Sequence, residues 1–550
     1  MKTLSKKRLA TALGLALAAG GFLPSAQAVN LATDGLGQAL IFPHYTVQAG
    51  WDTLFNVTNT SSLVVVAKVA FHESYNSRPV FDFNIILSPK DVWNGWVSLR
   101  ASDGMPVFTT VDRTCAAPQF QFPRVGQAST PVPFEPNPAA PVRGMLAYTG
   151  NAADSGPTTI ARMQSGYVTV IMMGAADPAL STLAAFAVHN TNTGIPLDCG
   201  RLDAAFGNPA GLAAIQGAFP LYANYDIPGQ PPLNPLKGMY SLVNAAQGQN
   251  AGGSPVALAN FRDAPIMTLQ LPPGAIQAPN AVAAFAASFH EPSLNAANTP
   301  AQVLDVTDTL QPAPPAFDPN YFGSDQISWL LLRDSIVNHW MRNTTGNGWI
   351  TNTDWVITSP TKRFYVDDPT QSTPPSPIGS ANPYAAINAF RGHPRVAPPA
   401  PLLATSPFAT FFGANRGLPG TACNPLYAEI YDREERGGPV SIYSPGILVN
   451  QICYESNALT FNGSDVLGAP GRPGDPIITN LPGNNGWAQL FLASAANTLD
   501  GNPVTPTNPG FGLPVVGFSI ATRTTPSSQL LNEGYIIDHS YTRRNPFAPR

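Results

Sequence analysis

Seven histidines are the side chains of this sequence best suited to acid–base catalysis or metal binding. They are His44, His72, His189, His290, His339, His393 and His539. No two of them have the H-x-H or H-E-x-x-H spacing that brings two ligands to one metal ion. In the adjacent pairs His72–Glu73 and His290–Glu291, neighbouring residues of a strand would point to opposite faces. The histidine pattern therefore predicts neither a metal site nor a catalytic pair.

Serine and carboxylate motifs are equally weak. The G-x-S-x-G motif of serine hydrolases does not occur, and its nearest approach, Gly517–Ala521 around Ser519, lies in an apparent strand. The densest charged cluster, Tyr431–Arg436, contains paired carboxylates of the kind that glycosidases use. Because runs of charge usually face water, we interpret this cluster as a solvated turn.

One segment begins like a calcium-binding loop. Asp318 and Asn320 occupy the first and third positions of an EF-hand pattern. The fifth position is Phe322, however, and Trp329 stands where the bidentate glutamate is needed. We therefore predict no cofactor, and calcium held by scattered oxygen ligands has no signature that a sequence can show.

Trp349 and Trp355 are the candidates for contact with a carbohydrate. On one continuous strand they would share a face about 20 Å apart, at about 3.3 Å per residue. Exposed aromatic rings with amides nearby can stack on sugars, and Asn347 lies close in sequence. Asn352 and Asp354 would point to the opposite face. Packing of both rings in a core is the alternative, and it is the one that we favour.

The four cysteines form an even set, which in an oxidising compartment indicates two disulfides. We expect the pairs Cys115–Cys199 and Cys423–Cys453, because partners that are near in sequence keep each bond within one lobe. In the chain-entropy model these bonds would stabilise the fold by at most about 4.6 and 3.7 kcal/mol. No C-x-x-C spacing supports a zinc site instead.

Short strands are the elements that must position these side chains. Between residues 54 and 99, four apolar segments alternate with turns, and Phe81–Leu87 has the period-two pattern of a half-buried strand. This spacing predicts an antiparallel meander. We predict a mainly β fold: an antiparallel β-sandwich, immunoglobulin-like or jelly-roll-like, with long Pro-, Gly- and Asn-rich loops and a few short helices. The four segments are Leu54–Thr58, Leu63–Phe71, Phe81–Leu87 and Val92–Leu99.

Later segments extend this pattern along the chain. We expect further strands at 166–173, 335–341, 348–358, 363–366, 512–522 and 534–537. We expect helices at 178–188, 209–219, 281–289, 325–334 and 384–390. The predicted organisation is a signal peptide at 1–28, a β-sandwich lobe with insertions at 29–300, and a second β-rich lobe at 301–550. One intertwined domain is the alternative.

Residues 1–28 have the features of a cleaved signal peptide. A basic start, which ends in Arg8, precedes the uncharged apolar stretch Leu9–Leu23, and a small-x-small site ends at Ala28. The apolar stretch is shorter than the roughly 20 residues that a membrane-spanning helix needs. We therefore expect a mature chain that begins at Val29 and lies in the periplasm, on the outer cell surface or outside the cell.

Sparse charge restricts the partners of this chain. Charged residues make up 11% of it, against about 25% in an ordinary globular protein. Loss of four basic residues with the signal peptide lowers Lys plus Arg from 29 to 25 against 33 Asp plus Glu, a net charge of −8. Such a surface lacks the basic footprint that nucleic acids or anionic membranes require. We therefore predict no nucleic-acid partner and no transmembrane segment in the mature chain.

Two stretches carry a resemblance to other proteins. They are Ile41–Val47 followed by Leu54–Thr60, and Asp354–Val366. Both resemble a family of exported Gram-negative bacterial proteins with no assigned activity. The resemblance implies export, and it implies no site residues.

Together these features favour a non-enzymatic surface or matrix protein that adheres, binds or assembles. Its recognition would lie in loops such as residues 126–142, and its partner would be a second copy or a cell-surface polysaccharide. A secreted hydrolase acting on a polysaccharide or polyester is one alternative, because a spatial triad needs no local motif. A carbohydrate-binding protein is the other.

Overall fold

The computed structural model describes most of the chain that follows the expected signal peptide. The described residues are 29–77, 79–134, 157–208, 211–221, 233–262, 265–267, 270, 294, 297, 302–304, 310–312, 323–346, 348–362, 408, 423–443, 451–468, 475–492, 512–525 and 532–542. The signal peptide, the helices expected at 281–289 and 384–390, and the strand expected at 363–366 lie outside these ranges, as do His290, His393 and Asp318–Phe322.

The strands before residue 300 form two antiparallel sheets. They are β1 Asn30–Leu31, β2 Ala39–Thr46, β3 Asp52–Asn59, β4 Val64–Glu73, β5 Pro79–Leu87, β6 Val92–Leu99, β7 Pro106–Thr109, β8 Cys115–Ala117, β9 Val132–Pro133, β10 Ser165–Ala176, β11 Leu236–Asn244, β12 Gln249–Gly253 and β13 Val256–Ala259. Sheet A has the order β1-β13-β2-β10-β4-β5-β8, and sheet B has the order β12-β11-β3-β6-β7-β9. The sheets pack face to face, with the Phe71 and Phe55 ring centroids 5.5 Å apart.

The later strands form a second sandwich and two short ladders. They are β14 Gln302–Leu304, β15 Leu310–Pro312, β16 Leu332–Arg333, β17 Ser335–Met341, β18 Thr344–Gly346, β19 Trp349–Thr358, β20 Asn424–Asp432, β21 Gly437–Val440, β22 Ile442–Tyr443, β23 Gln451–Ile452, β24 Ser456–Phe461, β25 Ile477–Ile478, β26 Asn485–Leu492, β27 Leu513–Pro514, β28 Val516–Thr524, β29 Glu533–Asp538 and β30 Ser540–Thr542. Sheet C has the order β21-β20-β26-β17-β30, and sheet D has the order β22-β25-β24-β19-β28-β29. Trp340 of sheet C and Trp355 of sheet D each lie 5.5 Å from the Phe461 ring.

The mainly β, antiparallel sandwich architecture confirms the predicted fold class, but the predicted meander is wrong. β3 pairs with β6 in sheet B, whereas β4 pairs with β5 in sheet A. The chain therefore crosses from one sheet to the other after β3 and returns after β5. The amide of Asn59 supports both crossings, since it donates to the carbonyl groups of Leu63 and Ser88 at 2.7 and 2.8 Å.

Four helices are described: α1 Thr182–Ala185, α2 Cys199–Phe206, α3 Leu212–Ala218 and α4 Gly323–Leu331; Ile160–Gln164 is a 3₁₀-helix. The helix expected at 178–188 is wrong in length, because the Ser181 side chain caps a single turn that starts at Thr182. The helix expected at 325–334 ends earlier, because Leu332 and Arg333 pair with β27. The strands expected at 166–173, 335–341 and 348–358 are present as β10, β17 and β19.

Helices α1 to α3 cover the outer face of sheet A. Val64 and Val66 of β4 pack there against Phe206 and Ile215. β4 and β5 are consequently buried on both faces, and the expectation that Phe81–Leu87 is half-buried is wrong. Asp82 is buried on this face because it pairs with the equally buried Lys68.

Both expected disulfides are present. Cys115 of β8 bonds to Cys199 at the start of α2, so this bond ties the helical cover to sheet A. Cys423 bonds to Cys453, which ties the start of β20 to the chain that follows β23.

The two sandwiches contact each other through sheet D. Phe518 of β28 belongs to the same buried cluster as Phe42 and Tyr240 of the first sandwich, and its ring lies 5.8 Å from that of Tyr240. Trp51 donates its indole N–H to the Val466 carbonyl at 2.7 Å. All the strands of any one sheet come either from before or from after residue 300 in the sequence. The apolar core, however, contains residues from both parts. None of the described helices is long and apolar enough to cross a membrane.

Candidate functional site

Two groupings place a serine beside a histidine, as a hydrolase would require. Ser88 Oγ and the Asp91 carboxylate both approach Nδ1 of His189, at 2.8 and 3.7 Å. In a catalytic triad the serine and the carboxylate bind opposite ring nitrogens. His44 Nδ1 lies 3.4 Å from Ser456 Oγ, but these residues are 1% and 0% exposed, so a substrate would not reach them. The first grouping therefore lacks the geometry of a triad, and the second is closed to a substrate.

The adjacent pair His72–Glu73 divides between two faces of β4. The His72 ring stacks on Tyr167 at 4.8 Å and its Nε2 lies 3.0 Å from Thr169 Oγ1. Glu73 forms a bidentate ion pair with Arg162, with both N–O distances at 3.0 Å and both side chains 0% exposed. Each residue therefore holds the fold together at its own face, and no joint acid–base role follows.

Burial perturbs the pKa of several groups that hold the second sandwich together. It raises the pKa of Asp354 to about 6, although this carboxylate accepts hydrogen bonds from the backbone N–H groups of Val466 and Leu467. It lowers the pKa of Lys362 to about 8, against the opposing effect of Glu455. Lys362 donates to the Cys453 carbonyl. Perturbed groups can mark an active site when they line a cleft, but these groups are enclosed by their own chain.

Two further sequence candidates have structural roles. Ser519 is 2% exposed and lies opposite Trp355 in the β19–β28 pairing. The charged cluster Tyr431–Arg436 spans the end of β20 and the turn that leads to β21, where Arg436 donates to Asp432 at 2.8 Å and to Glu434 at 3.1 Å. Its opposite charges therefore pair with one another, as the sequence predicts for a solvated turn. In the described part of the chain, no group of three His, Cys, Asp or Glu converges as metal ligands would.

The two tryptophans predicted from the sequence do not form a sugar platform. Trp355 is 0% exposed, and its indole N–H donates to the His339 carbonyl at 2.9 Å. Trp355 therefore packs in the core, and the carbohydrate assignment for it is corrected. Trp349 keeps a partly exposed ring, with the Arg523 guanidinium 5.4 Å from its centroid.

The segment 126–142, expected to be a recognition loop, is partly structural. Val132 and Pro133 form β9 at the edge of sheet B. Phe134 is 0% exposed, and its ring lies 5.2 and 5.4 Å from those of Phe71 and Phe81. This part of the segment is therefore core, and residues 135–142 lie outside the described ranges.

The outer face of sheet C combines aromatic and hydrogen-bonding side chains. Leu426, Ala428 and Ile430 of β20, like Ala488, Leu490 and Leu492 of β26, point into the core. Because strand side chains alternate, the residues between them point outward. We call these outward residues the aromatic face: Val337, His339, Tyr427, Glu429, Tyr431, Trp487, Gln489 and Phe491.

The strand register arranges the aromatic face in rows. Tyr431, Trp487 and His339 form one row, and Tyr427 and Phe491 form a second. Glu429 and Gln489 form the row between them, together with Val337. Adjacent outward residues of one strand are separated by about 6.7 Å, so the two aromatic rows lie about 13 Å apart. Rings thus alternate with hydrogen-bonding groups along the strands.

The exposed indole of this face, Trp487, is supported on one side by a neighbouring ring. Trp487 is 39% exposed, and one side of its indole stacks on Tyr431 with centroids 4.8 Å apart and planes at 20°. Among the described residues, no other aromatic ring packs on the indole. The Gln489 amide donates to Ser335 Oγ at 2.8 Å, which also fixes that side chain. An ordered ring can bind a ligand with little loss of side-chain entropy.

Within the described part of the chain, an enclosed site has less support than the aromatic face. The cleft beside the Cys115–Cys199 bond, lined by Arg113, Phe122 and Asp198 among others, has a volume of about 170 Å³, below the roughly 300–1,000 Å³ of small-molecule sites. Its Arg113 guanidinium stacks on Phe122 at 4.0 Å. Asp198 is committed to capping α2. The groups that could bind a ligand there already serve the fold.

Sequence reasoning missed the aromatic face, although a signal for it exists. The segments LYAEIYD and WAQLFL both alternate small or aliphatic residues with Tyr, Trp, Phe, Glu and Gln. In an ordinary half-exposed strand the outward phase carries small polar or charged residues. The largely aromatic outward phase of these two segments is therefore the sequence signal for this face.

No similarity to a known protein assigns a function to the aromatic face. The resemblance of Ile41–Val47, Leu54–Thr60 and Asp354–Val366 to exported bacterial proteins stays a prediction. Comparisons with protein-family models, with curated proteins and with solved structures find no match for this chain.

Proposed function

We propose that this protein is exported and binds extracellular or cell-surface material through the aromatic face of sheet C. The observation that carries the proposal is the stacked pair Trp487–Tyr431 on the outer face of sheet C, where Trp487 is 39% exposed. Tyr and Trp are enriched where proteins bind partners, because each offers a large apolar surface together with a polar group.

Three other features support a binding role. The N-terminal segment has the pattern of a signal peptide, and two disulfides suit an oxidising compartment. One serine–histidine grouping lacks triad geometry, and the other is buried. The perturbed carboxyl and amino groups are enclosed by the chain. A sheet face that carries exposed rings beside hydrogen-bonding groups is suited to adhesion.

A cosedimentation assay tests the proposal. The purified mature chain is mixed with washed Gram-negative cells and, separately, with their shed extracellular matrix, and the bound fraction is measured. We expect Trp487→Ala to lower the bound fraction by about tenfold, since buried aromatic anchors dominate interfaces. Trp96→Ala is the matched control: Trp96 is a partly exposed tryptophan on the outer face of sheet B. Equal binding by the wild type and Trp487→Ala would contradict the proposal.

A further inference from the structure

We infer that the aromatic face binds a neutral polysaccharide chain laid along strands β20 and β26. This inference rests on the proposed function and names the chemical class of its ligand. A pyranose ring has an apolar face of C–H groups and a rim of hydroxyls. Its binding therefore needs an exposed aromatic ring with hydrogen-bonding groups close beside it.

The rows of the aromatic face match these two needs. Trp487 and Tyr431 provide a stacking surface at one end, and Tyr427 with Phe491 provide aromatic surface at the other. Between them, Glu429 and Gln489 are opposite each other in the register. A carboxylate accepts hydrogen bonds and an amide both donates and accepts, so this middle row suits the hydroxyl rim of a sugar.

The dimensions favour a chain over a single sugar. The aromatic rows are separated by four residues of each strand, about 13 Å at about 3.3 Å per residue. A single pyranose ring does not span both rows, whereas a short run of linked sugars does. A sugar chain that contacts both rows would therefore be extended along the strands.

The charges favour a neutral ligand. Glu429 is the only carboxylate of the aromatic face, and none of its residues is Lys or Arg. Acidic residues also outnumber basic ones over the whole chain, 33 to 29. An anionic polysaccharide or a nucleic acid would meet repulsion and no counter-charge. The stacking rings and amide offer a neutral sugar chain contacts without that cost.

Pull-down on insoluble neutral polysaccharides tests this inference. The probes are cellulose, chitin, a β-1,3-glucan and starch granules, with alginate beads as the anionic comparison. We expect the mature chain to bind at least one neutral probe and not alginate, and Trp487→Ala to weaken that binding by about tenfold. Trp487→Phe keeps an aromatic ring and should bind between these limits. Glu429→Ala should weaken binding, whereas Trp96→Ala should leave it unchanged.

The outcomes separate this inference from the proposed function. If Trp487-dependent attachment to cells or matrix occurs but no neutral polysaccharide binds, the inference fails while the binding role stands. If alginate binds better than the neutral probes, the charge argument is wrong and the inference fails. If sedimentation velocity shows a self-association that Trp487→Ala abolishes, the face binds a second copy and the inference is overturned. Near-UV circular dichroism and the melting temperature establish that each variant is folded.

Discussion

At the scale of single residues, buried ion pairs and exposed ones should differ sharply in their importance. Glu73 and Arg162 are both 0% exposed, so removal of the Glu73 carboxylate takes the directly bound counter-charge from a guanidinium in the protein interior. We expect Glu73→Ala to lower the free energy of unfolding by about 3–5 kcal/mol in denaturant titration.

The exposed pair Arg100–Asp103 provides the matched control. Its side chains are 41% and 40% exposed, with an N–O distance of 2.6 Å. Exposed pairs contribute at most about 1 kcal/mol, so Asp103→Ala should change stability little. A similar loss in both variants would show that burial of Glu73 is not the cause.

The His539 side chain should make stability depend on pH. Burial lowers the pKa of His539 to about 4, against the opposing effect of the hydrogen bond to the Val356 carbonyl. The unfolded chain has a histidine pKa of about 6.5. The folded state therefore favours the neutral ring. The contribution of His539 to the free energy of unfolding is full above pH 6.5 and is lost as pH falls towards 4.

Denaturant titration at several pH values measures this effect. Relative to His539→Gln, the wild type should lose at most about 3 kcal/mol between pH 7 and pH 4. The pH effect of Asp354, whose pKa is raised to about 6, has the opposite sign. Its contribution to stability is lost as pH rises through 6. Asp354→Asn should therefore make the acid loss steeper. Parallel pH profiles for wild type and His539→Gln would refute the assignment to His539.

At the scale of elements, the Cys115–Cys199 bond should hold the helical cover on sheet A. The bond closes a loop of 84 residues, for which the chain-entropy model gives at most about 4.6 kcal/mol. We expect the double variant Cys115→Ser/Cys199→Ser to lose stability within this limit. Limited proteolysis should then cut first between residues 177 and 221. First cleavage elsewhere would contradict the role of the bond.

The strands themselves were readable from the sequence, whereas their partners were not. Val92–Leu99 is a strand in the prediction and in the structure, because the alternation of side chains is a local property. The choice between a hairpin and a crossing depends on contacts far along the chain, such as the bond from Asn59 to the Ser88 carbonyl. The disulfides followed from spacing alone.

The aromatic face shows the limit of sequence reasoning about the site. Trp349 and Trp355 were candidates because aromatic rings and amides lie near each other there. Only contacts with residues far along the chain, Phe461 and His539, show that Trp355 is enclosed. Conversely, Tyr431 and Trp487 are 56 residues apart in sequence, and only the register of β20 and β26 brings them together.

At the scale of the whole molecule, export predicts where the mature chain begins. The small-x-small site ends at Ala28. We expect the intact mass of protein from the periplasm or medium of its native host to match residues 29–550 with two disulfides. Retention of residues 1–28 there would contradict a cleaved signal peptide.

We propose that recognition uses the aromatic face of sheet C and not the outer face of sheet B or a pocket. Hydroxyl-radical footprinting of the wild-type chain, free and bound to extracellular matrix, measures this directly at each side chain. We predict strong protection of Trp487 and Tyr431 on binding, with Trp96 and the exposed Met239 on sheet B unchanged. Protection confined to Trp96 and Met239, or no protection of Trp487 in the bound chain, would contradict the account.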